Sequence, residues 1–133
     1  MKKIQYPLVM AFFIFSCEAG FYDEEPVNIF TGCYDVDEWS ESLQAQSYFE
    51  MRIFTRNRDH GIIRMENFYN AGITVYAEVN GFKIRIPVQQ TEYYEIEGYG
   101  SLYDGQLTIN YSVADKLSPT GFRDVCNAIC YKR

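Results

Sequence analysis

The chain has 133 residues, of which 47% are hydrophobic and 17% aromatic, with 12 Lys and Arg against 18 Asp and Glu. A formal net charge of −6 argues against a nucleic-acid partner, since phosphate contacts need clustered Lys and Arg. The length fits a single domain, and the abundance of Tyr and Phe favours β-strands over helices.

The first sixteen residues have the layout of a bacterial secretory signal. Positive charge at Met1-Lys2-Lys3 is followed by an apolar run from Pro7 to Phe15. This run is too short to span a bilayer, which needs about 20 apolar residues. We therefore expect residues 1–16 to be a removed signal peptide. Its loss leaves 117 residues and changes the formal net charge from −6 to −8, because Lys2 and Lys3 are lost.

Ser16-Cys17 places a small residue directly before a cysteine, as in the lipobox of bacterial lipoproteins. We expect Cys17 to be lipidated and to anchor the protein to the outer membrane, facing the periplasm or the cell surface. Cleavage after Ala19 would instead give a soluble periplasmic or secreted protein. Residues 17–27 are acidic and reach Pro26, so they are interpreted as a tether.

Residues 28–133 predict one all-β domain. Apolar residues alternate with polar ones along several segments, and turn signals such as Asn80-Gly81 separate these segments. The apolar residues expected on the buried face include Phe82, Ile84, Ile86 and Val88, and Leu107, Ile109, Tyr111 and Val113. One helical turn is expected from Asp37 to Gln44. Strands are predicted near 30–36, 46–56, 61–68, 73–79, 82–87, 92–101, 106–113 and 122–131. This pattern favours an eight-stranded antiparallel up-and-down meander closed into a barrel, with a β-sandwich as the alternative.

Three further cysteines lie in this domain, Cys33 near its start and Cys126 and Cys130 near its end. An exported domain can hold a disulfide, so one bridge from Cys33 to the last strand is expected. Cys126 and Cys130 share one face of a strand, so the residues alone leave the partner of Cys33 open. No metal site is expected, because these cysteines and the single His60 lack the spacing of a metal ligand set.

No catalytic motif is present, and neither an enzymatic activity nor a cofactor is expected. Glu95 and Glu97 share a strand face, but an acidic face toward water gives the same pattern. The better functional candidates are aromatic side chains that could stack on a sugar or anchor an interface. This possible binding surface comprises Tyr93, Tyr99, Tyr103 and Trp39.

Several segments resemble a largely uncharacterised group of small Bacteroidota lipoproteins with a lipocalin-like or calycin-like β-meander domain. They are Thr31-Gly32-Cys33-Tyr34, Val79 to Gln89, Glu97-Gly98-Tyr99-Gly100, Leu107 to Tyr111 and the final strand with Cys126. The resemblance implies a small lipocalin-like barrel. It also favours a Cys33–Cys126 disulfide, with Cys130 as the alternative partner.

These features lead to one main functional hypothesis and two alternatives. The main one is a non-enzymatic, membrane-anchored lipoprotein that serves as an accessory or interaction subunit of an outer-membrane assembly. The first alternative is a binding module for a small apolar molecule or a glycan. The second is an inhibitor of a hydrolase.

Overall fold

The structure, a computed structural model, describes residues 26–133. A 3₁₀ helix at Pro26–Ile29 precedes eight strands. The strands are β1 Gly32–Ser40, β2 Ala45–Phe54, β3 Ile62–Phe68, β4 Ile73–Asn80, β5 Lys83–Gln90, β6 Tyr94–Tyr103, β7 Gln106–Asp115 and β8 Arg123–Lys132. The predicted signal peptide, residues 1–16, and Cys17 lie outside the described residues, as does the predicted tether except for residues 26 and 27.

The strands form a closed up-and-down barrel. Each strand pairs antiparallel with the next, and β1 also pairs with β8, which closes the sheet. This confirms the predicted small, lipocalin-like eight-stranded barrel and excludes the β-sandwich alternative. Among residues 26–133, no helix is long and apolar enough to cross a membrane.

The barrel interior is filled by side chains that alternate along each strand. Its largest fully buried members are Tyr34, Phe30, Phe68, Ile53, Ile63 and Met65. Each such side chain contributes about 1.5–3 kcal/mol relative to an exposed one. This packing matches the expectation that a barrel of eight strands is just wide enough for its own side chains.

The two ends of the barrel differ. The 3₁₀ helix and Phe30 cover one end, which we call the plugged end. There the Tyr34 hydroxyl donates to the Phe30 carbonyl at 2.8 Å, and Lys132 Nζ donates to the Ile29 carbonyl at 2.7 Å. The opposite end, which we call the loop end, carries the connections at 41–44, 69–72, 91–93 and 116–122.

Two local predictions were wrong. The expected helical turn at Asp37–Gln44 is instead the end of β1, which continues to Ser40, followed by a turn. The alternation expected from Phe82 to Val88 holds only for Ile84 and Ile86. Phe82 lies in the turn before β5 and is 65% exposed. Val88 is 57% exposed, because the β5–β6 register shifts between Ile86 and Gln89.

Candidate functional site

A group of buried or half-buried polar side chains lies near the loop end of the barrel, where the rest of the interior is apolar. We call it the carboxyl cluster; it consists of Glu38, Ser40, Tyr69, Tyr111, Asp124 and Cys126. Glu38 is 5% exposed and Asp124 is 2% exposed. Buried carboxyl groups are rare unless they are paired or hydrogen-bonded, so each of these needs a partner.

Asp124 is held by two hydroxyl donors. The Ser40 hydroxyl donates to Asp124 Oδ1 at 2.5 Å, and the Tyr69 hydroxyl donates to Asp124 Oδ2 at 2.6 Å. Ser40 in turn accepts a hydrogen bond from the Leu43 backbone N–H at 3.0 Å. The carboxylate therefore joins the end of β1, the 41–44 connection and the β3–β4 connection to β8.

Glu38 accepts a hydrogen bond from the Tyr111 hydroxyl. The pKa of Glu38 is raised to about 7, chiefly by burial; the Tyr111 hydrogen bond lowers it and the nearby Asp124 charge raises it. The Tyr111 ring packs against Phe68 at a centroid distance of 4.4 Å and meets the edge of Tyr69 at 6.1 Å. Glu38 is therefore poised to gain or lose a proton near neutral pH.

The Tyr111 position depends on a glycine in the neighbouring strand. Gly98 pairs with Tyr111 across β6 and β7. A Cβ atom at residue 98 would lie 2.5 Å from the Asn110 carbonyl oxygen and 2.5 Å from Tyr111 Cβ. The absence of a side chain at Gly98 thus lets β7 approach β6 closely and lets Tyr111 reach Glu38.

The cluster is suited to proton exchange rather than to nucleophilic or metal chemistry. Burial, together with the Glu38 and Asp124 charges, raises the pKa of the Cys126 thiol, so this cysteine stays protonated and weakly nucleophilic. Within the part of the chain that the structure describes, no group of three or more His, Cys, Asp or Glu side chains could hold a metal ion. Ion pairs of the described residues likewise leave Glu38 and Asp124 without a cation.

This cluster was not predicted from the sequence. A signal was present: Tyr34, Val36, Glu38 and Ser40 alternate on one face of β1, and Asp124, Cys126, Ala128 and Cys130 alternate on one face of β8. The expected helical turn from Asp37 to Gln44 instead covered Glu38, and Asp124 received no role within the strand predicted at 122–131. Charged residues are usually exposed, so neither carboxyl group was expected in the core.

The predicted disulfide between Cys33 and Cys126, or Cys130 as the alternative, is wrong. Cys126 and Cys130 are free thiols inside the barrel, and Cys33 is disulfide-bonded to neither of them. In the β1–β8 register Ser40 pairs with Cys126 and Val36 with Cys130. Along the strand, Cys33 is therefore about 23 Å from the position of Cys126 and about 10 Å from that of Cys130. Both distances exceed the limit of about 7 Å between bridged Cα atoms. The Cys33 side chain also points to the opposite face of β1 from Val36.

We predict that Cys126 and Cys130 are protected in the folded protein. Both are fully buried, and burial raises the pKa of Cys130 to about 12. Native protein should show no reaction of these thiols with a maleimide at neutral pH, whereas both should react after denaturation without a reductant. Labelling followed by peptide mass mapping checks this. Rapid native labelling of either residue would contradict the buried placement.

The structure separates the four aromatic residues predicted as a binding surface. Tyr99 and Tyr103 are 63% and 83% exposed on the outer face of β6, at its middle and at its end near the plugged end. Tyr93 is exposed in the connection before β6. Trp39 is 38% exposed on β1, from which β6 is separated by β7 and β8. They therefore form no single patch.

Of these four residues, Tyr99 lines a groove. We call it the Tyr99 groove; it has a volume of about 510 Å³ on the outer wall of β5–β8. Its exposed large apolar side chains are Tyr99, Val88 and Val125, and the charged Arg85 and Glu97 also line it. Between β6 and β8, β7 contributes the smaller Asn110 and Ser112. Apolar surface of this kind at the middle of a sheet can receive a partner side chain.

Glu97, one of the paired carboxylates of the sequence, lines this groove, and Glu95 lies two residues before it on the same face of β6. Arg123 reaches both, with Nη2 at 3.4 Å from Glu95 Oε1 and Nη1 at 4.0 Å from Glu97 Oε2. Arg123 also donates to the Ser112 hydroxyl at 2.8 Å. This pair therefore belongs to a surface ion-pair network, which agrees with the interpretation of Glu95 and Glu97 as an acidic strand face toward water.

No protein-family model matches this chain significantly, and neither does any curated protein or solved structure. The similarity to Bacteroidota lipoproteins therefore stays a prediction from the sequence, while the barrel fold rests on the strand pairing described above.

Proposed function

We propose that this protein is a non-enzymatic, membrane-anchored accessory subunit of an outer-membrane assembly, and that it contacts a protein of that assembly through the Tyr99 groove. The carrying observation is that Tyr99, Val88 and Val125 remain 63%, 57% and 41% exposed around one groove on a barrel wall. Exposed apolar side chains around a concavity are typical of interaction sites, with Tyr among the favoured anchors.

The packed barrel interior favours a protein that binds partners on its outer surface over one that holds a ligand inside the barrel. The large side chains Phe30, Tyr34 and Phe68 are fully buried within it. A small apolar ligand would have to displace such groups, at a cost in packing. The alternative that retains most support is a glycan on the outer wall, since Tyr99 offers an aromatic ring next to the Asn110 amide.

The proposal predicts that one groove tyrosine matters and a neighbouring tyrosine does not. Tagged native protein would be recovered from detergent-solubilised membranes, as wild type, Tyr99→Ala and Tyr103→Ala. Tyr103 is the matched control, because it is an exposed tyrosine on the same strand outside the groove. Truncation of an anchor residue of this kind to alanine costs about 2 kcal/mol or more of binding free energy, which is roughly 30-fold in affinity.

We expect wild type and Tyr103→Ala to recover the same outer-membrane protein in equal amounts, and Tyr99→Ala to lose it. Equal loss of the partner with both variants, or recovery of the wild-type protein without any partner, would contradict the proposed groove. In the latter case, binding of purified domain to an array of bacterial glycans, abolished by Tyr99→Ala, would replace the protein partner with a glycan.

Intact mass of the recovered chain tests the anchor. The chain has four cysteines, namely Cys17, Cys33, Cys126 and Cys130. A thioether-linked lipid on its sulfur and a disulfide to Cys33 exclude each other. A mass that matches acylation, with the lipid mapped to residue 17, supports the membrane anchor. A peptide in which Cys17 is joined to Cys33 would overturn it and favour the soluble exported form.

A further inference from the structure

One strand of the closed barrel keeps a partly unpaired edge. β2 pairs with β1 along residues 45–53, but it pairs with β3 only through Arg52, Ile53 and Phe54. Within the described residues, the segment Ala45–Phe49 therefore has no strand on its β3 side. Next to this segment a side chain takes the place of a strand, since Asn67 Nδ2 donates to the Glu50 carbonyl at 2.7 Å.

The direction of the Glu50 carbonyl fixes which backbone groups face outward. Backbone N–H and C=O groups of one residue in an antiparallel strand point to the same side, and they alternate along the strand. Because Glu50 faces the β3 side, the groups of Tyr48 and Gln46 face it too. These are the donors and acceptors that an added strand would use.

The residues at this edge do not protect it against pairing. Natural edges are usually blocked by Lys, Pro, a bulge or an inward-pointing charge. The segment Ala45-Gln46-Ser47-Tyr48-Phe49 contains no Lys, no Pro and no charge, and residues 45 to 48 are all exposed.

The outer face beside this edge is acidic and aromatic. A groove of about 410 Å³, which we call the acidic groove, is lined there by Asp35, Asp37, Glu50, Tyr48 and Tyr131. It already holds one guanidinium of the chain: Arg133 Nη2 lies 2.9 Å from Asp35 Oδ1 and 2.5 Å from Glu50 Oε2. Three carboxylates against this one cation leave the groove with surplus negative charge, and Tyr48, 71% exposed, offers a ring for a further cation.

We propose that the free edge of β2 is a docking site for an extended, Lys- or Arg-bearing segment of a partner protein. The segment adds as a strand along Gln46–Tyr48, and its cationic side chains lie over the acidic groove. Charge favours this occupant over a second copy, since pairing two β2 edges would bring two acidic grooves together. The β2 edge and the acidic groove share no residue with the Tyr99 groove, so either proposal can fail alone.

Two synthetic hexapeptides test the site directly, acetyl-Lys-Val-Lys-Val-Lys-Val-amide and its counterpart with Glu in place of each Lys. Amide NMR spectra of the ¹⁵N-labelled protein would be recorded with each peptide at up to millimolar concentration. We expect the Lys peptide to shift the Gln46 and Tyr48 amides and to slow their hydrogen exchange, and the Glu peptide to leave them unchanged.

Three variants separate the electrostatic and backbone components. Glu50→Lys should weaken Lys-peptide binding about fivefold, whereas Glu92→Lys, the same charge change at an exposed site elsewhere, should leave it within about twofold. Gln46→Pro removes an outward N–H that β1 does not use, and should abolish the exchange protection at Tyr48. Folding of each variant is checked by the dispersion of the remaining amide signals.

Several results would overturn the proposal. They are equal binding of the Lys and Glu peptides, no shift at residues 45–50 with either peptide, or equal weakening by Glu50→Lys and Glu92→Lys. Concentration-dependent dimerisation of the protein alone, with exchange protection confined to residues 45–49, would assign the edge to a second copy instead.

Discussion

Replacing Gly98 with alanine should lower the free energy of unfolding by about 3 kcal/mol or more. The new Cβ would lie 2.5 Å from the Asn110 carbonyl oxygen and 2.8 Å from Tyr111 Cα. Both atoms belong to the backbone of β7, so no side-chain rotation can relieve the contact. The β6–β7 pair would have to separate, in a domain whose total stability is typically about 5–15 kcal/mol.

Urea unfolding of wild type and Gly98→Ala measures this effect. Ser101→Ala is the matched control on the same strand, since Ser101 is exposed and its change should stay within about 0.5 kcal/mol. The displaced Tyr111 should also lose its hydrogen bond to Glu38, so the pH dependence described below should change in Gly98→Ala. A loss of less than about 1 kcal/mol would show that β7 does not approach β6 this closely.

The fold could be predicted from the sequence because its signals are local. Alternating residues such as Leu107, Ile109 and Tyr111 predicted the buried face of β7, and all three are buried. Asn80-Gly81 predicted the turn between β4 and β5, where Gly81 adopts a positive φ of 65°. With tight turns between short strands, an up-and-down barrel follows from patterns that span only a few residues.

The candidate site could not be predicted in the same way, because it depends on how β1 meets β8. The register that pairs Ser40 with Cys126 brings Glu38 and Asp124 together from distant parts of the sequence and keeps Cys33 far from both barrel cysteines. No local pattern states this register. The exposure of Val88 similarly depends on a bulge in the β5–β6 pairing. The pairing register between strands therefore determines which side chains meet in the core and which are exposed, and local periodicity does not specify this register.

Replacing Glu38 with glutamine should remove most of the loss of stability that we expect on raising the pH. The pKa of Glu38 is about 7 in the folded protein against 4.5 for the free side chain. Unfolding therefore releases a proton between these values, and stability falls as pH rises from 4.5 to about 7. The contribution of Glu38 to the free energy of unfolding changes by about 3 kcal/mol over this range. This stability is fully present below pH 4.5 and lost above pH 7.

The physical reason is the absence of a compensating cation among the described residues. Ionised Glu38 would share a buried site with Asp124, which already accepts hydrogen bonds from Ser40 and Tyr69. The glutamine side chain would keep an oxygen that accepts from the Tyr111 hydroxyl, but it could not ionise. Above neutral pH the Glu38→Gln variant should therefore be more stable than wild type, and below about pH 5 it should have no advantage.

Urea-unfolding midpoints and slopes at intervals from about pH 5 to about pH 8 measure the effect. Glu92→Gln, which removes an exposed carboxylate that is not part of the cluster, should follow the wild-type profile. Hydrogen exchange adds a local readout, because the Leu43 amide is bonded to Ser40 and should exchange faster as Glu38 ionises in wild type but not in Glu38→Gln. Parallel pH profiles for wild type and Glu38→Gln would show that Glu38 does not titrate near neutrality, and that the carboxyl cluster is a fixed hydrogen-bond network rather than a proton-sensitive one.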